Sequence, residues 1–431
     1  MLLDIEKLVY GGDGLARLPA DEAGHRKAVF VPFVLDREQI DATVVEVNRG
    51  YDRAKVEQIL EPSPDRVEPQ CPYFQACGGC QYQHSSYEHQ REIKTAILKE
   101  NLRRIAKIEL ETELVIHPSP PWNYRNRTRL KFSTEPEFAL GYYRFNSHEL
   151  LAVEKCPISS PLLNIAIAEL WRAGRNGHLA TEIEEIELFA NAEDDQLLVE
   201  IYCPPGTAPE AGQRVAASIP NAVPQAAGVM VFSRNLRKGN AEFVKIANLG
   251  GGELDYHTQR HTFRVSAGAF FQVNRFLVDQ LVELATEGAS GDLAIDLYAG
   301  VGLFASALSQ SFTQVIAVEA SPISYQDLFY NSGPNTKAVH ATTDQFLKNT
   351  ARKLRPDLVL VDPPRGGLGE MVVRSLVSLG ARQITYVSCD PATLARDLKG
   401  LLSAGYQLRR AHMVDLFPQT YHLESIFQLS R

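Results

Sequence analysis

The chain has 431 residues, a formal net charge of −8, 45% hydrophobic residues and 22% charged ones. That length fits two to four domains and can bury a large core without disulfide staples, and the acidic balance excludes a protein that coats nucleic acid over its whole surface. No run of about 18 apolar residues offers a membrane span, and "MLLDIEKLVYGGDG" lacks the apolar run of a signal peptide, so a cytoplasmic, reducing location is the expectation.

Residues 1–60 read as short β-rich runs, "KAVFVPFV", "IDATVVEVN" and "AKVEQIL", with a Gly/Asp turn at "GGDG". Several short strands in so few residues predict a small β-barrel. "EPSPDRVEPQ" (61–70) is a proline-rich linker. "CPYFQACGGCQYQH" then places Cys71, Cys77 and Cys80 in the spacing C-x5-C-x2-C. In a reducing compartment such clustered thiols point to metal ligation rather than disulfides. Thiolate sulfur suits iron–sulfur clusters and zinc alike, and the spacing leaves both open.

Residues 87–107 predict a helix with Ile93, Ile97, Leu98, Leu102 and Ile105 on one face. Between Glu88 and Lys131 the chain carries ten Lys/Arg against six Asp/Glu. Within that stretch "YRNRTRLKF" (124–132) puts Arg125, Arg127, Arg129 and Lys131 on one side of a strand, because strand side chains alternate. Four like charges in a row repel one another, which favours a polyanionic partner over a merely solvated face. Strands dominate from there to about residue 270, interrupted by helices near 161–174 and 209–218. Cys203, in "EIYCPP", reads as a core thiol.

From 271 the texture becomes α/β. "LAIDLYAG", "QVIAVEAS", "DLVLVDPP" and "QITYVSCD" are apolar runs separated by helical segments, as in a mostly parallel sheet. Such sheets bind ligands beyond the carboxyl ends of their strands, where Asp296, Glu319, Asp362 and Cys389 lie. Gly300 and Gly302 let the backbone approach a ligand, and Glu319 suits ribose hydroxyls. Gly300, Gly302 and Ala305 also fit G-x-G-x-x-A, so a nicotinamide-dependent oxidoreductase is a rival, separable by a nicotinamide-binding titration. The later strand ends, "DPPRGG" and "SCDP", fit a methyltransferase using S-adenosylmethionine instead. Arg365 stands where amino-group methyltransferases have an aromatic, and a cysteine ends the next strand; both favour attack at carbon. Cys389 precedes a helix, whose N-terminus favours a thiolate.

Taken together, "CPYFQACGGCQYQH", "YRNRTRLKF", "SAGAFFQVN", "DLYAGVG", "DPPRGG", "VSCDPATLARDL" and "HLESI" resemble the bacterial RNA uracil carbon-5 methyltransferases that carry an iron–sulfur cluster. The resemblance runs in order from residue 71 to 426, and residues 1–60 resemble the OB-like TRAM barrel of many members. It implies a multidomain α/β chain: 1–60 an RNA-binding TRAM-like barrel, 61–270 a central α+β domain with the cluster and RNA-binding strands, and 271–431 a Rossmann-like methyltransferase domain. It implies a 4Fe-4S cluster on Cys71, Cys77, Cys80 and Cys156; the C-x3-C-x2-C of radical enzymes is absent. Cys389 becomes the nucleophile and Glu424 the base. Gln272, Tyr298, Gly300, Gly302, Glu319 and Asp362 become cofactor-binding positions, and Asp362 also accepts the uracil ring N–H. Phe270 or Phe271 would stack on a base. The implied partner is ribosomal or transfer RNA, with no membrane and no obligate protein partner. Leu303 and Asp390 depart from the commoner family pattern, each replacing an Asn. A catalytically inactive RNA-binding protein is the non-enzyme rival, opposed by intact Cys389, Asp362 and Glu424.

Overall fold

The computed structural model describes residues 1–431 except 21, 23, 238, 239, 351 and 352; the side chains of 236–242 are likewise not described. Six strands open the chain: β1 (Leu2–Asp4), β2 (Lys7–Leu8), β3 (Asp13–Arg17), β4 (Ala28–Pro32), β5 (Gln39–Val47) and β6 (Tyr51–Glu61). They pair in the order β1-β5-β6-β4-β3-β2 around Val29, Val31, Ile40, Ala42 and Ala54. Among the described residues the edge strands β1 and β2 do not pair with each other. The expected small barrel is thus a barrel-like sheet, a half-barrel, in which β1 pairs with β5 and β2 with β3. Its "GGDG" turn reaches the cysteine loop. At Gly12, with φ +96°, a Cβ would lie 2.8 Å from Gln81 Cβ, so only glycine permits this approach.

Helix α1 (Tyr87–Asn101) begins at Ser86, whose Oγ accepts the His89 N–H at 3.3 Å. It continues as a π-helical turn over Leu102–Ala106. Ile93, Ile97, Leu98 and Leu102 are buried as their spacing predicts, each contributing roughly 1.5–3 kcal/mol. β7 (Leu114–His117) follows.

The central sheet comprises β8 (Arg127–Ser133), β9 (Ala139–Tyr143), β10 (Leu150–Ala152), β11 (Glu185–Ala190), β12 (Leu197–Cys203), β13 (Ala226–Arg237) and β14 (Asn240–Gly250). Helices α2 (Pro161–Arg175) and α3 (Pro209–Ala222) cover one face through Leu163, Ile167, Leu170, Val215 and Ile219, matching both predicted helices. Cys203 is buried in this core. The other face, with Phe189, Leu198, Tyr202 and Phe232, meets Tyr256 and Phe263 of a hairpin, β15 (Glu253–His257) and β16 (Thr262–Ser266).

After α4 (Val278–Thr286) comes the C-terminal sheet: β17 (Gly291–Leu297), β18 (Phe312–Glu319), β19 (Thr336–His340), β20 (Leu358–Val361), β21 (Gln383–Ser388), β22 (Gln407–Val414) and β23 (Glu424–Ser430). The order is β19-β18-β17-β20-β21-β23-β22-β7. β17 to β21 run parallel, and β23 is antiparallel to both its neighbours. The chain order reverses between β17 and β20, which opens a crevice at their carboxyl ends. Helices α5 (Leu303–Leu308), α6 (Pro322–Asn331), α7 (Thr343–Thr350), α8 (Gly369–Leu379) and α9 (Pro391–Ser403) flank the sheet. α6 and α9 start on a capping residue followed by proline, Ser321-Pro322 and Asp390-Pro391, which satisfies free N–H groups and pre-sets the first turn.

The four apolar runs predicted as strands are β17, β18, β20 and β21. β7 and α1, read from sequence as central-domain segments, pack with the C-terminal sheet: β7 pairs with β22, and Ile93, Ile97 and Leu98 share a core with Leu394 and Leu398. No described helix is long and apolar enough to cross a membrane.

Candidate active site

The turn after β17 is backbone-defined. Tyr298, Gly300 and Gly302 all take positive φ, at +65°, +57° and +98°. A Cβ at Gly302 would lie 3.0 Å from Leu328 Cδ1, so glycine keeps α5 close to α6. Glu319, ending β18, accepts the Gly300 N–H at 2.9 Å and the Ser321 N–H at 2.6 Å. Its carboxylate is thereby fixed beside the turn with lone pairs to spare. Asp296, on β17, is fully buried and neither of its oxygens has a hydrogen-bond partner. Burial, and then the nearby Asp362 and Glu319 charges, push its carboxyl well above the usual range. Two unsatisfied buried oxygens are costly unless a donor arrives. Leu303 is buried in apolar surroundings; the sequence places Asp296 among the strand-end residues where ligands bind but assigns it no contact.

"YRNRTRLKF" holds "SAGAFFQVN" directly. Asn126 N–H donates to Val273 O at 2.9 Å, Arg275 N–H to Tyr124 O at 2.9 Å, and Asn126 Nδ2 to Gln272 O at 3.1 Å. Gln272 is buried, Phe271 is core, and Phe270 is 63% exposed. Of the two aromatics only Phe270 is free to meet a base.

Cys389 follows β21, Asp362 follows β20, and Glu424 begins β23. Ser388 pairs with Ser425 across β21 and β23, so one step further along the ladder brings Cys389 to Glu424. Burial raises all three acids. Asp362 reaches about 7. Glu424 is pushed well above its usual range by burial and by Asp362, and its Oε1 is buried without a partner. Cys389 rises to about 12 through burial, then Glu424, then Asp362, with Arg365 opposing. The expected lowering of the thiol by the helix N-terminus is thus corrected. Asp390 caps α9 with its own carboxylate, accepting the Ala392 and Thr393 N–H groups at 3.1 and 2.8 Å. It occupies the donors a thiolate would use and adds a negative charge beside it. A contact invisible from sequence is Tyr10 of the half-barrel, whose hydroxyl donates to the Cys389 carbonyl at 3.0 Å.

Cys71, Cys77, Cys80 and Cys156 line one cavity of about 220 Å³ together with Arg125, Arg129 and Lys155. Burial, partly offset by hydrogen bonds, leaves the Cys71 thiol raised; burial also lifts Cys77 to about 11 and Cys80 higher still, with the neighbouring thiols adding to each. No group of three or more His, Cys, Asp or Glu side chains among the described residues is arranged to hold a single metal ion.

The basic row is not a bare cationic face. Arg127, nearly buried, pairs with Glu187 and, at 2.7 Å, with Glu200. Arg129 pairs with Glu185 and lies 3.7 Å over the Tyr202 ring; Lys131 also pairs with Glu185. The registers of β8, β11 and β12 set Arg129 opposite Glu187 and Glu187 opposite Glu200. Mutual repulsion therefore gives no reason to invoke a polyanion. Arg125 alone of the four has no carboxylate partner among the described residues, and it borders both the cysteine cavity and the groove containing Phe270.

Comparison with known proteins gives the family. The family model described as tRNA (Uracil-5-)-methyltransferase matches residues 86–431. An uncharacterized RNA methyltransferase of Aquifex aeolicus is 34% identical over 98% of this chain and 97% of its own. The 23S rRNA (uracil(1939)-C(5))-methyltransferase RlmD of Pectobacterium atrosepticum is 34% identical over 96% of this chain and 90% of its own. The crystal structure of Pyrococcus abyssi tRNA (uracil-54, C5)-methyltransferase with S-adenosyl-L-homocysteine shares the fold, with a TM-score of 0.77, 22% identity and full coverage of both chains. The chain belongs to the tRNA (uracil-5-)-methyltransferase family and is an RNA (uracil-5-)-methyltransferase.

Proposed function

We propose that this enzyme forms 5-methyluridine in ribosomal RNA through a covalent adduct between Cys389 and the target uracil. The placing of Cys389, Glu424 and Asp362 at three adjacent strand ends is the observation that carries the reading. Carbon 5 of uracil is a poor nucleophile until a thiolate bonds to carbon 6 and pushes an electron pair into the ring as an enolate. The thiol proton must leave as that bond forms. Asp362, raised only to about 7, is about half ionised at neutral pH, and in that ionised form one of its oxygens takes the proton. The other accepts the ring N–H, a donor that cytosine lacks. S-adenosylmethionine, when bound, supplies the methyl group that carbon 5 acquires. Glu424 then removes the carbon-5 proton, the pair returns through the ring, and the carbon–sulfur bond breaks to restore the thiol. Burial and the Asp362 charge favour the protonated form of Glu424, so it must first release its own proton to solvent; once ionised it is a strong base for that step.

The residues suit the cofactor. Asp296 offers buried unsatisfied oxygens to an amino group, Glu319 offers held carboxylate oxygens to ribose hydroxyls, and the family resemblance assigns Gln272, Tyr298, Gly300, Gly302 and Asp362 to the same cofactor. Phe270 presents an exposed ring to the flipped base or its neighbour. The four cysteines suit a 4Fe-4S cluster: the donors are soft and cations line their cavity. A single zinc ion, with bonds of about 2.3 Å, would need the sulfurs grouped more tightly. Residues 1–60 act as a TRAM-like RNA-binding domain, 61–270 as the cluster domain and 271–431 as the catalytic domain, working in the cytoplasm without an obligate protein partner. Ribosomal RNA is favoured over transfer RNA by the near full-length similarity to the RlmD protein. Mapping 5-methyluridine in both RNA classes from cells lacking the gene tests this: one ribosomal site should be lost. Loss confined to transfer RNA would move the substrate, and no loss would overturn the reading.

A further inference from the structure

Residues 415–423 join β22 to β23 and end at Glu424, yet they are held largely by groups outside the C-terminal sheet. Fully buried Lys94 pairs with fully buried Asp415 at 2.6 Å and donates to Phe417 O at 2.9 Å. Asn274 Nδ2 donates to Leu416 O and the Tyr124 hydroxyl to Pro418 O, both at 3.0 Å.

Gln419 is the most constrained point of this strap. It is buried and takes φ +69°, a conformation that costs a non-glycine residue about 1 kcal/mol or more and persists only where surroundings impose it. Its carbonyl accepts the Gln81 and Tyr82 N–H groups at 3.0 and 2.9 Å. Its N–H donates to Gln90 Oε1 at 2.9 Å, and Gln90 Nε2 donates to its Oε1 at 3.0 Å. Gln81 and Tyr82 directly follow Cys80. An unbroken path therefore runs from the cysteine cavity through two peptide N–H groups to Gln419, and along five residues of strap to Glu424.

We propose that Gln419 is a positioning residue for Glu424, and that the four-cysteine site holds it in place, so that filling or emptying that site is felt at the base. This rests on the reading of Glu424 as the base. Cys389 and the turn after β17 are fixed by their own strands, by Tyr10 and by Glu319. Loosening the strap should then slow proton removal and release while sparing cofactor binding and adduct formation.

Two variants test it. Gln90→Ala removes the side-chain bonds to Gln419, together with those to Tyr82 O and Ser85 O that tie the same corner, and leaves the cysteines intact. Cys156→Ser alters the cysteine site at a residue with no bond to the strap. Hydrogen exchange of amides 416–423 should rise about tenfold in each, with exchange in β17 and β18 unchanged. With ordinary uridine RNA both should accumulate a methylated covalent complex, lowering kcat and KM together and leaving kcat/KM nearly unchanged. Unchanged strap exchange in folded Cys156→Ser lacking its metal, or adduct formation and release slowed alike, would overturn the proposal. Should Cys156→Ser not fold, wild-type protein stripped of iron by a chelator takes its place, and unchanged strap exchange between the iron-loaded and stripped forms would overturn the role of the cysteine site. Glu424→Gln separates the underlying reading: if it accumulates no covalent complex, the base assignment fails and the positioning role falls with it.

Discussion

The Tyr10 hydroxyl donates to the Cys389 carbonyl at 3.0 Å, joining the half-barrel to the residue that ends β21. Tyr10 also meets Tyr421 of the strap edge-on, with ring centroids 5.3 Å apart. The N-terminal sheet is thus more than an appended domain, because it touches both sides of the proposed reacting centre. Tyr10→Phe keeps the ring packing and removes one hydrogen bond, a net loss of about 1 kcal/mol. The rate of adduct formation should fall about fivefold, with S-adenosylmethionine affinity unchanged by calorimetry. Wild-type single-turnover rates in the variant would show that the contact does not position Cys389.

Asp362 links activity to pH. Burial raises its carboxyl to about 7, and the reaction requires the ionised form, so kcat/KM should climb with pH through about 7 and then level. Asp362→Asn should lose that inflection together with about a hundredfold or more of activity. Stability runs the opposite way. A carboxyl raised in the folded state favours folding fully below its unfolded pKa, about 3.9, and that advantage is lost as pH rises through about 7. Asp362→Asn should therefore melt several degrees above wild type at pH 8, with the gap closing near pH 4. Equal melting at both pH values would show that Asp362 is not held against its charge.

What the sequence made legible was local. The strand-end motifs, the helix faces and the Asp390-Pro391 start are each written within a few consecutive residues. The unread parts depend on partners brought in by the fold. The alternating glutamates of "TEIEEIEL" were available as a signal, but only the β8–β11 register shows Glu185 and Glu187 answering Arg129 and Lys131. Cys389 was misjudged for a related reason. A helix N-terminus does favour a thiolate, but not when the next residue caps it with a carboxylate and two further carboxyls share the pocket.

The basic row now divides into two predictions. Arg127 neutralises Glu187 and Glu200 in a nearly buried setting, so Arg127→Ala should destabilise the protein by about 3 kcal/mol. Arg125 has no such partner, so Arg125→Ala should leave the melting temperature unchanged and lower the salt slope of RNA binding by about one counterion. The reverse assignment, with Arg127→Ala neutral in stability or Arg125→Ala silent in salt titrations, would show that the ion pairs do not sort the two roles.

Metal content offers a direct test of the cysteine cavity. Protein purified without oxygen should be brown and hold about four iron per chain, and Cys156→Ser should lose the iron and the visible absorption together. Stoichiometric zinc with no iron in anaerobic preparations would replace the cluster with a single-ion site. It would also require the four thiols to draw closer than their arrangement around the cavity suggests.

The covalent step is the most exposed part of the chemistry. RNA carrying 5-fluorouridine at the target should be methylated and then remain attached, because fluorine cannot leave carbon 5 as a cation and elimination is blocked. The complex should survive a denaturing gel and need S-adenosylmethionine for full formation. Cys389→Ala should abolish it, since no neighbouring group can replace the thiolate. Glu424→Gln should behave differently: it keeps the nucleophile and lacks the base, so ordinary uridine RNA should accumulate as a methylated covalent complex that turns over slowly. The raised thiol adds a further expectation. With Cys389 near 12, less than about one part in ten thousand of the free enzyme is thiolate at pH 7, so iodoacetamide should label Cys389 far more slowly than an ordinary cysteine until pH is raised. Fast labelling at neutral pH would show that the empty site already favours the thiolate, and adduct formation or methylation persisting in Cys389→Ala would remove the first step of the mechanism altogether.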